Sequence, residues 1–153
     1  MAECALGFDV GAKRIGVAVG SAISGGARPL AVVEVREGVP DWRRLEHLLR
    51  EWRPGALVVG DPRTLDEANP DQPARRRAQR FARELLARFA LPVHLVDERR
   101  SSQEAARRFA AARAAGTRRR KDGEEIDAVA AAVIVERWLD DPGEATSLMP
   151  DAP

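Results

Sequence analysis

Cys4-Ala-Leu-Gly-Phe-Asp-Val-Gly-Ala-Lys-Arg-Ile-Gly-Val-Ala-Val-Gly20 is the stretch on which the fold turns. Its first half alternates so that Cys4, Leu6, Phe8 and Val10 share one face, while Ala5, Gly7, Asp9 and Gly11 share the other. The second half repeats the design, with Ile15, Val17 and Val19 opposite Gly16, Ala18 and Gly20. Separated by a short Gly11-Ala12-Lys13 link, the two halves predict an antiparallel hairpin with one bulky face and one face of very small residues. Asp9 projects from the small face in mid-strand, where Asp is disfavoured and a lone buried carboxylate is costly.

Working outward, Ser21–Arg28 is Gly- and Ser-rich and is expected to be a mobile link, followed by a third strand at about 30–36. Asp41 is a good N-cap for a helix carrying Leu45, Leu48, Leu49 and Trp52, which Arg53-Pro54-Gly55 stops. Ala56–Val59 is a short, wholly apolar strand, and residues 60–73, rich in Pro and acids, are expected to be a loop. Helix follows over about 74–90, then a last strand over 91–97, a helix from the capping box Ser101-Ser-Gln-Glu104 to about Ala115, and a basic loop at 116–123. The final helix, 124–140, is expected to bury Ile126, Val129, Ala130, Val133, Ile134 and Trp138. Three antiparallel strands followed by alternating helices and parallel strands define an α/β domain with a mixed sheet flanked by helices. It is expected to span residues 1–140, with 141–153 a flexible C-terminal tail.

At 153 residues the chain supports one domain and argues against an interdomain cleft. Its longest apolar run, Ala128–Val135, falls far short of the roughly 18 residues of a membrane span, and the N-terminus does not read as a signal peptide, so no membrane partner and a cytoplasmic location are expected. With one cysteine, Cys4, and two distant histidines, His47 and His94, a Cys-cluster zinc site is excluded. Any catalytic metal needs carboxylate ligands.

Three acids stand where the local pattern does not ask for them: Asp9, Glu98 just past an apolar strand, and Asp127 in the first turns of the last helix. If that helix packs on the small face of the hairpin, Asp127 approaches Asp9. Converging carboxylates repel one another unless divalent cations lie between them, and hard oxygen donors suit Mg²⁺ or Mn²⁺. Each acid also has a plainer reading: Asp9 as a strand terminator, Glu98 as a surface partner of Arg99 or Arg100, and Asp127 as a complement to the helix dipole.

Leu6–Ala18, Val58-Val-Gly-Asp-Pro62, Pro92–Arg99 and Ile126–Ala131 together resemble, in order, the four sequence blocks of the YqgF/RuvX family, over about residues 5–140. The resemblance implies a ribonuclease H-like fold. It also implies a metal-dependent nuclease, described in the family both as a Holliday-junction resolvase and as the nuclease maturing the 5′ end of the small-subunit (16S) rRNA precursor in ribosome biogenesis. Asp9, Glu98 and Asp127 would then be the catalytic and metal-binding acids, taking two Mg²⁺ or Mn²⁺ ions with substrate. Two places depart from the family pattern, Asp61 for Leu and the dipeptide Arg100-Ser101 for Leu-Thr. Asp61 adds a negative charge at a strand end expected to border the site.

The charge pattern points to a polyanion. Residues 73–121 hold 15 Lys/Arg against 4 Asp/Glu, whereas 122–153 hold 9 acids against the single Arg137. Arg76, Arg80 and Arg83 recur along one helix face, and Arg118, Arg119, Arg120 and Lys121 form a cluster before the helix of Asp127. With Lys13 and Arg14 of the hairpin turn, which resemble the family's basic pair, these are the expected nucleic-acid contacts. Precursor rRNA, branched DNA and ribosomal particles are the candidate partners. Monomer and weak dimer both remain open, as does a catalytically silent nucleic-acid-binding module. Actin-like and sugar-kinase ATPases share a similar Asp-Gly hairpin, but they need a second domain that this length does not supply.

Overall fold

The computed structural model describes residues 4–62, 73–97, 107 and 122–150. Strands β1 (Cys4–Val10), β2 (Arg14–Ser21) and β3 (Gly26–Arg36) run antiparallel in sequence, as the alternation predicts. A two-residue turn at Glu37 (φ 52°) and Gly38 (φ 79°) returns the chain into a short edge strand, β4 (Val39–Pro40). Two consecutive positive φ values give the tight turn whose twist suits a hairpin, and Gly38 adopts one without strain. Helix α1 (Trp42–Trp52) begins where Asp41 accepts a hydrogen bond from Arg44 N at 3.2 Å. It is followed by β5 (Ala56–Asp61), α2 (Pro73–Phe89), β6 (Val93–Asp97), α3 (Asp122–Asp140), a 3₁₀ turn at Pro142–Glu144 and β7 (Thr146–Leu148).

The sheet order is β4-β3-β2-β1-β5-β6-β7, with β5 parallel to both β1 and β6. The bulky faces of β1, β2, β5 and β6 meet α1 and α2 in the main core, where Phe8 meets Phe81 edge-on at 5.4 Å and Trp42 stacks on Phe81 at 5.6 Å. Helix α3 covers the other face. Its apolar stretch Ala128–Val135 is buried all round, so burial is not confined to the expected stripe. Ala131, Ala132 and Val135 pack on Ala18, Ile134 packs on Ala5 and Val58, and Ile126, Val129 and Ala130 form a separate cluster.

Several boundaries differ from the sequence reading. The Ser21–Arg28 link is shorter than expected, because β3 already starts at Gly26. Ser21 organises the turn, its carbonyl accepting from Gly25 N at 2.9 Å and its hydroxyl accepting from Ile23 N at 3.1 Å. Strand β5 runs on through Gly60 and Asp61, and β6 is not the last strand: β7 pairs antiparallel with it. β7 lies within the stretch expected to be a flexible tail; Thr146-Ser-Leu148 is too short and polar to announce a strand, and it takes that form by completing the open edge of β6. Apart from Arg107, which is helical, the expected helix from 101 to 115 and most of the basic loop lie outside the described residues, although α3 already begins at Asp122.

Candidate active site

Close approach of α3 to the hairpin builds the site. Asp9 of β1 pairs across the ladder with Gly16 of β2. A Cβ on Gly16 would lie 1.9 Å from the carbonyl oxygen of Asp127, so the helix backbone rests directly on the glycine opposite Asp9. Further along, a Cβ on Gly7 would lie 2.1 Å from Val135 Cγ2 and one on Gly20 2.6 Å from Val135 Cγ1. Only residues without side chains at Gly7, Gly16 and Gly20 let the helix settle this deeply. The small face predicted from the sequence is thus the seat of α3, and Asp127, Ala131 and Val135, spaced four apart, are the row that meets it.

The electrostatics of this seat are specific. Asp127 Oδ2 is buried and lies 2.8 Å from Arg14 Nε, which reaches it from the first residue of β2. Arg14 keeps 44% of its side chain exposed, so the pair contributes at most about 1 kcal/mol to stability, and its consequence is chiefly for the charge of the site. Asp9 is half-buried, and Lys13 is exposed in the adjoining turn. On the β6 side, Arg137 Nη1 donates to the carbonyl of Asp97 at 2.9 Å and ties α3 to the strand end. The sequence reading misses that role; the signal is that Arg137 is the single basic residue of 122–153.

Glu98 lies outside the described residues, as do Arg118, Arg119, Arg120 and Lys121. His94 and Val96 of β6 do face α3, where His94 stacks on Trp138 at 5.0 Å. Among the described residues no three His, Cys, Asp or Glu side chains gather into a metal-binding group. Asp9 and Asp127 nonetheless offer hard oxygen donors from adjacent elements, and Asp127 already attracts a guanidinium; this donor chemistry fits Mg²⁺ or Mn²⁺.

Asp61 requires a correction. It faces away from Asp9 and Asp127. In β5 it follows Leu57 and Val59 onto the face of α1 and α2, where it is 2% exposed and pairs with Arg75 Nε at 3.2 Å. Its charge is therefore met on the opposite side of the sheet from Asp9. Arg76, Arg80 and Arg83 are exposed on α2, also on that opposite side, and Arg80 pairs with Glu84 at 3.4 Å. Neither histidine joins the acids: His47 lies beside Glu51 on α1, and His94 Nδ1 is 2.7 Å from Ser147 Oγ. Cys4 Sγ donates to Trp52 O at 3.3 Å, and burial raises its thiol pKa, in keeping with a strand filler.

A mixed sheet of three antiparallel strands followed by parallel ones, with helices on both faces, is the ribonuclease H-like architecture. The solved structure of Thermus thermophilus RuvC in complex with a Holliday junction substrate superposes with a TM-score of 0.57 at 19% identity, covering 95% of this chain and 99% of that one. A second Thermus thermophilus RuvC structure gives 0.53 at 18% identity, with the same coverage. The family profile described as "RuvX: Holliday junction resolvase" matches residues 3–141, and the chain belongs to that family. A protein of Xanthomonas campestris pv. campestris (strain B100) named "Putative pre-16S rRNA nuclease" is 62% identical over 143 residues, covering 94% of this chain and 91% of its own length. One of the same name from Xanthomonas euvesicatoria pv. vesicatoria (strain 85-10) is 61% identical over the same length.

Proposed function

We propose that the chain is a metal-dependent nuclease that hydrolyses phosphodiester bonds in the 5′ maturation of precursor 16S rRNA, acting in the cytoplasm on RNA or on ribosomal particles. The observation that carries the reading is the seating of Asp127 on Gly16, the residue paired with Asp9, which gives two acids from separate elements a common locality. Asp9, Asp127 and Glu98, the residue directly after β6, are the proposed ligands of Mg²⁺ or Mn²⁺. Bound there, the metal would supply an activated water and stabilise the departing oxygen of the phosphodiester. The chain's own residues do the rest. Asp9 is fixed by its strand, Asp127 by the close helix contact, and Arg14 holds positive charge at Asp127 that can turn toward a phosphate when the carboxylate is otherwise engaged. Lys13, exposed beside it, meets the same strand. Arg76, Arg80 and Arg83, with Arg118, Arg119, Arg120 and Lys121, are proposed to hold the backbone.

The family description and the RuvC likeness favour one second reading, resolution of branched DNA. Incubating the purified protein with Mg²⁺ or Mn²⁺ on a precursor 16S rRNA fragment and on a four-way DNA junction separates the two. Cleavage of the RNA at its 5′ flank, lost in Asp9→Asn, is the expected result. Cleavage of the junction alone would transfer the assignment to DNA, and cleavage of neither would leave a binding module.

A further inference from the structure

Asp127 and Arg137 are ten residues apart on α3, roughly 15 Å along its axis. At Asp127 the helix rests on Gly16, the residue paired with Asp9, and at Arg137 it reaches β6, where Nη1 donates to the Asp97 carbonyl at 2.9 Å. The second contact falls where β6 runs past one of its neighbours. β5 accompanies β6 as far as Asp97, but β7 pairs with it only over Val93–Leu95. Arg137 therefore ties down a strand end that lies beyond the reach of β7. A basic residue in the last turn of a helix complements the negative helix end wherever it points, yet Arg137 directs a donor to a neighbouring strand. Its acceptor is a backbone oxygen, so the contact fixes main chain instead of neutralising a carboxylate. A peptide group is planar, and the plane that contains the Asp97 carbonyl also contains the backbone N and Cα of the next residue, Glu98.

We infer that Arg137 is a positioning residue for the metal site: by holding the Asp97 carbonyl it fixes the peptide plane to which Glu98 belongs, and so sets that acid relative to Asp127. The inference rests on the nuclease reading, in which Asp9, Glu98 and Asp127 hold Mg²⁺ or Mn²⁺. One helix then governs the spacing of two ligands, carrying Asp127 itself and holding the backbone of Glu98 through Arg137. In this role Arg137 touches neither metal nor substrate. Groups that orient metal ligands without meeting the ion commonly account for roughly 10–100-fold in its affinity.

The test is calorimetric titration of the whole protein with Mn²⁺, without nucleic acid, for the parent, Arg137→Met, Glu98→Gln and the double variant. Arg137→Met should weaken Mn²⁺ binding by roughly tenfold. Glu98→Gln should weaken it as well, and adding Arg137→Met to Glu98→Gln should change it by no more than about twofold, because Arg137 acts through that carboxylate. A tie that serves only the fold would not show this dependence on Glu98. Urea denaturation checks that each variant is folded. Arg137→Lys keeps a charged donor without the guanidinium fork, and is the second variant should methionine unfold the protein. It should weaken binding by roughly threefold, again only when Glu98 is present. Parent-like affinity in a folded Arg137→Met, or a loss that persists undiminished in the Glu98→Gln background, would overturn the inference. Mn²⁺ binding untouched by Glu98→Gln would bring down the metal reading and the inference with it. Failure of the nuclease reading alone would appear instead as the expected pattern of Mn²⁺ binding without hydrolysis of either polymer.

Discussion

Arg14 Nε lies 2.8 Å from Asp127 Oδ2, so a cation from the hairpin turn already sits on a carboxylate proposed as a metal ligand. Two positive groups compete for one acid. Arg14→Met should therefore strengthen Mn²⁺ binding by up to about fivefold, the scale of one partly exposed ion pair, while slowing cleavage because the phosphate loses a guanidinium. Calorimetric Mn²⁺ titration of parent and variant checks this. Unchanged affinity would mean that Arg14 does not offset the charge of the site.

Asp9→Asn is nearly isosteric but removes the charge that would hold a metal. Cleavage should fall to background while the thermal midpoint stays the same or rises, since repulsion from the acids proposed to share the site decreases. Activity assays and a melting curve on the same preparation separate loss of chemistry from loss of fold. A fully active Asp9→Asn protein would refute the metal mechanism.

Gly16→Ala tests the helix seat. Its Cβ would lie 1.9 Å from the Asp127 carbonyl, a backbone atom that moves only if α3 lifts from the sheet. The substitution should cost about 3 kcal/mol or more and abolish activity with it, in the range of severe overpacking. Gly26→Ala, whose Cβ would meet nothing within 4 Å, should change stability by no more than about 0.5 kcal/mol. Urea denaturation of both variants gives the comparison; similar values for the two would deny the close contact its role.

The glycine seat is legible in the amino-acid pattern alone, because alternation in β1 and β2 separates bulky from small residues so cleanly that a helix carrying Asp127 has somewhere to go. The direction of Asp61 is not. Ala56–Val59 is apolar at every position, being buried on both faces, so it carries no alternation to show that Leu57, Val59 and Asp61 point together toward α2. β7 is hidden as well, because its strand form comes from the edge it pairs with.

His94 gives the fold a pH dependence. Stacked on Trp138 and beside Ser147 of β7, it is half-buried, and desolvation lowers its pKa from the usual 6.5. The unfolded chain then takes up this proton more readily than the native one, so the contribution is present above about pH 6.5 and is lost as the pH falls toward the lower native value. Urea midpoints should drop on acidification through this window, and His94→Gln should reduce that drop. An equally steep decline in the variant would assign the effect to other groups.

The basic segment before α3 should steer substrate toward the acids. Arg118, Arg119, Arg120 and Lys121 end six residues before Asp127, so a phosphate strand held by the cluster is delivered to an acidic locality that would otherwise repel it. Binding carried by such contacts releases counterions. The logarithm of the association constant should therefore fall with log[salt] by about 0.7 to 0.9 per phosphate contact. Replacing Arg118, Arg119 and Arg120 with Ala should remove about two to three units of that slope and weaken unrelated RNA and DNA sequences alike. Mn²⁺ binding should be unaffected, because Asp9 and Asp127 are held by β1 and by the Gly16 contact. Fluorescence anisotropy at several salt concentrations measures slope and affinity together. If the triple variant binds with the parent's slope and affinity, the substrate enters from elsewhere, and the cluster is only a solvated connection.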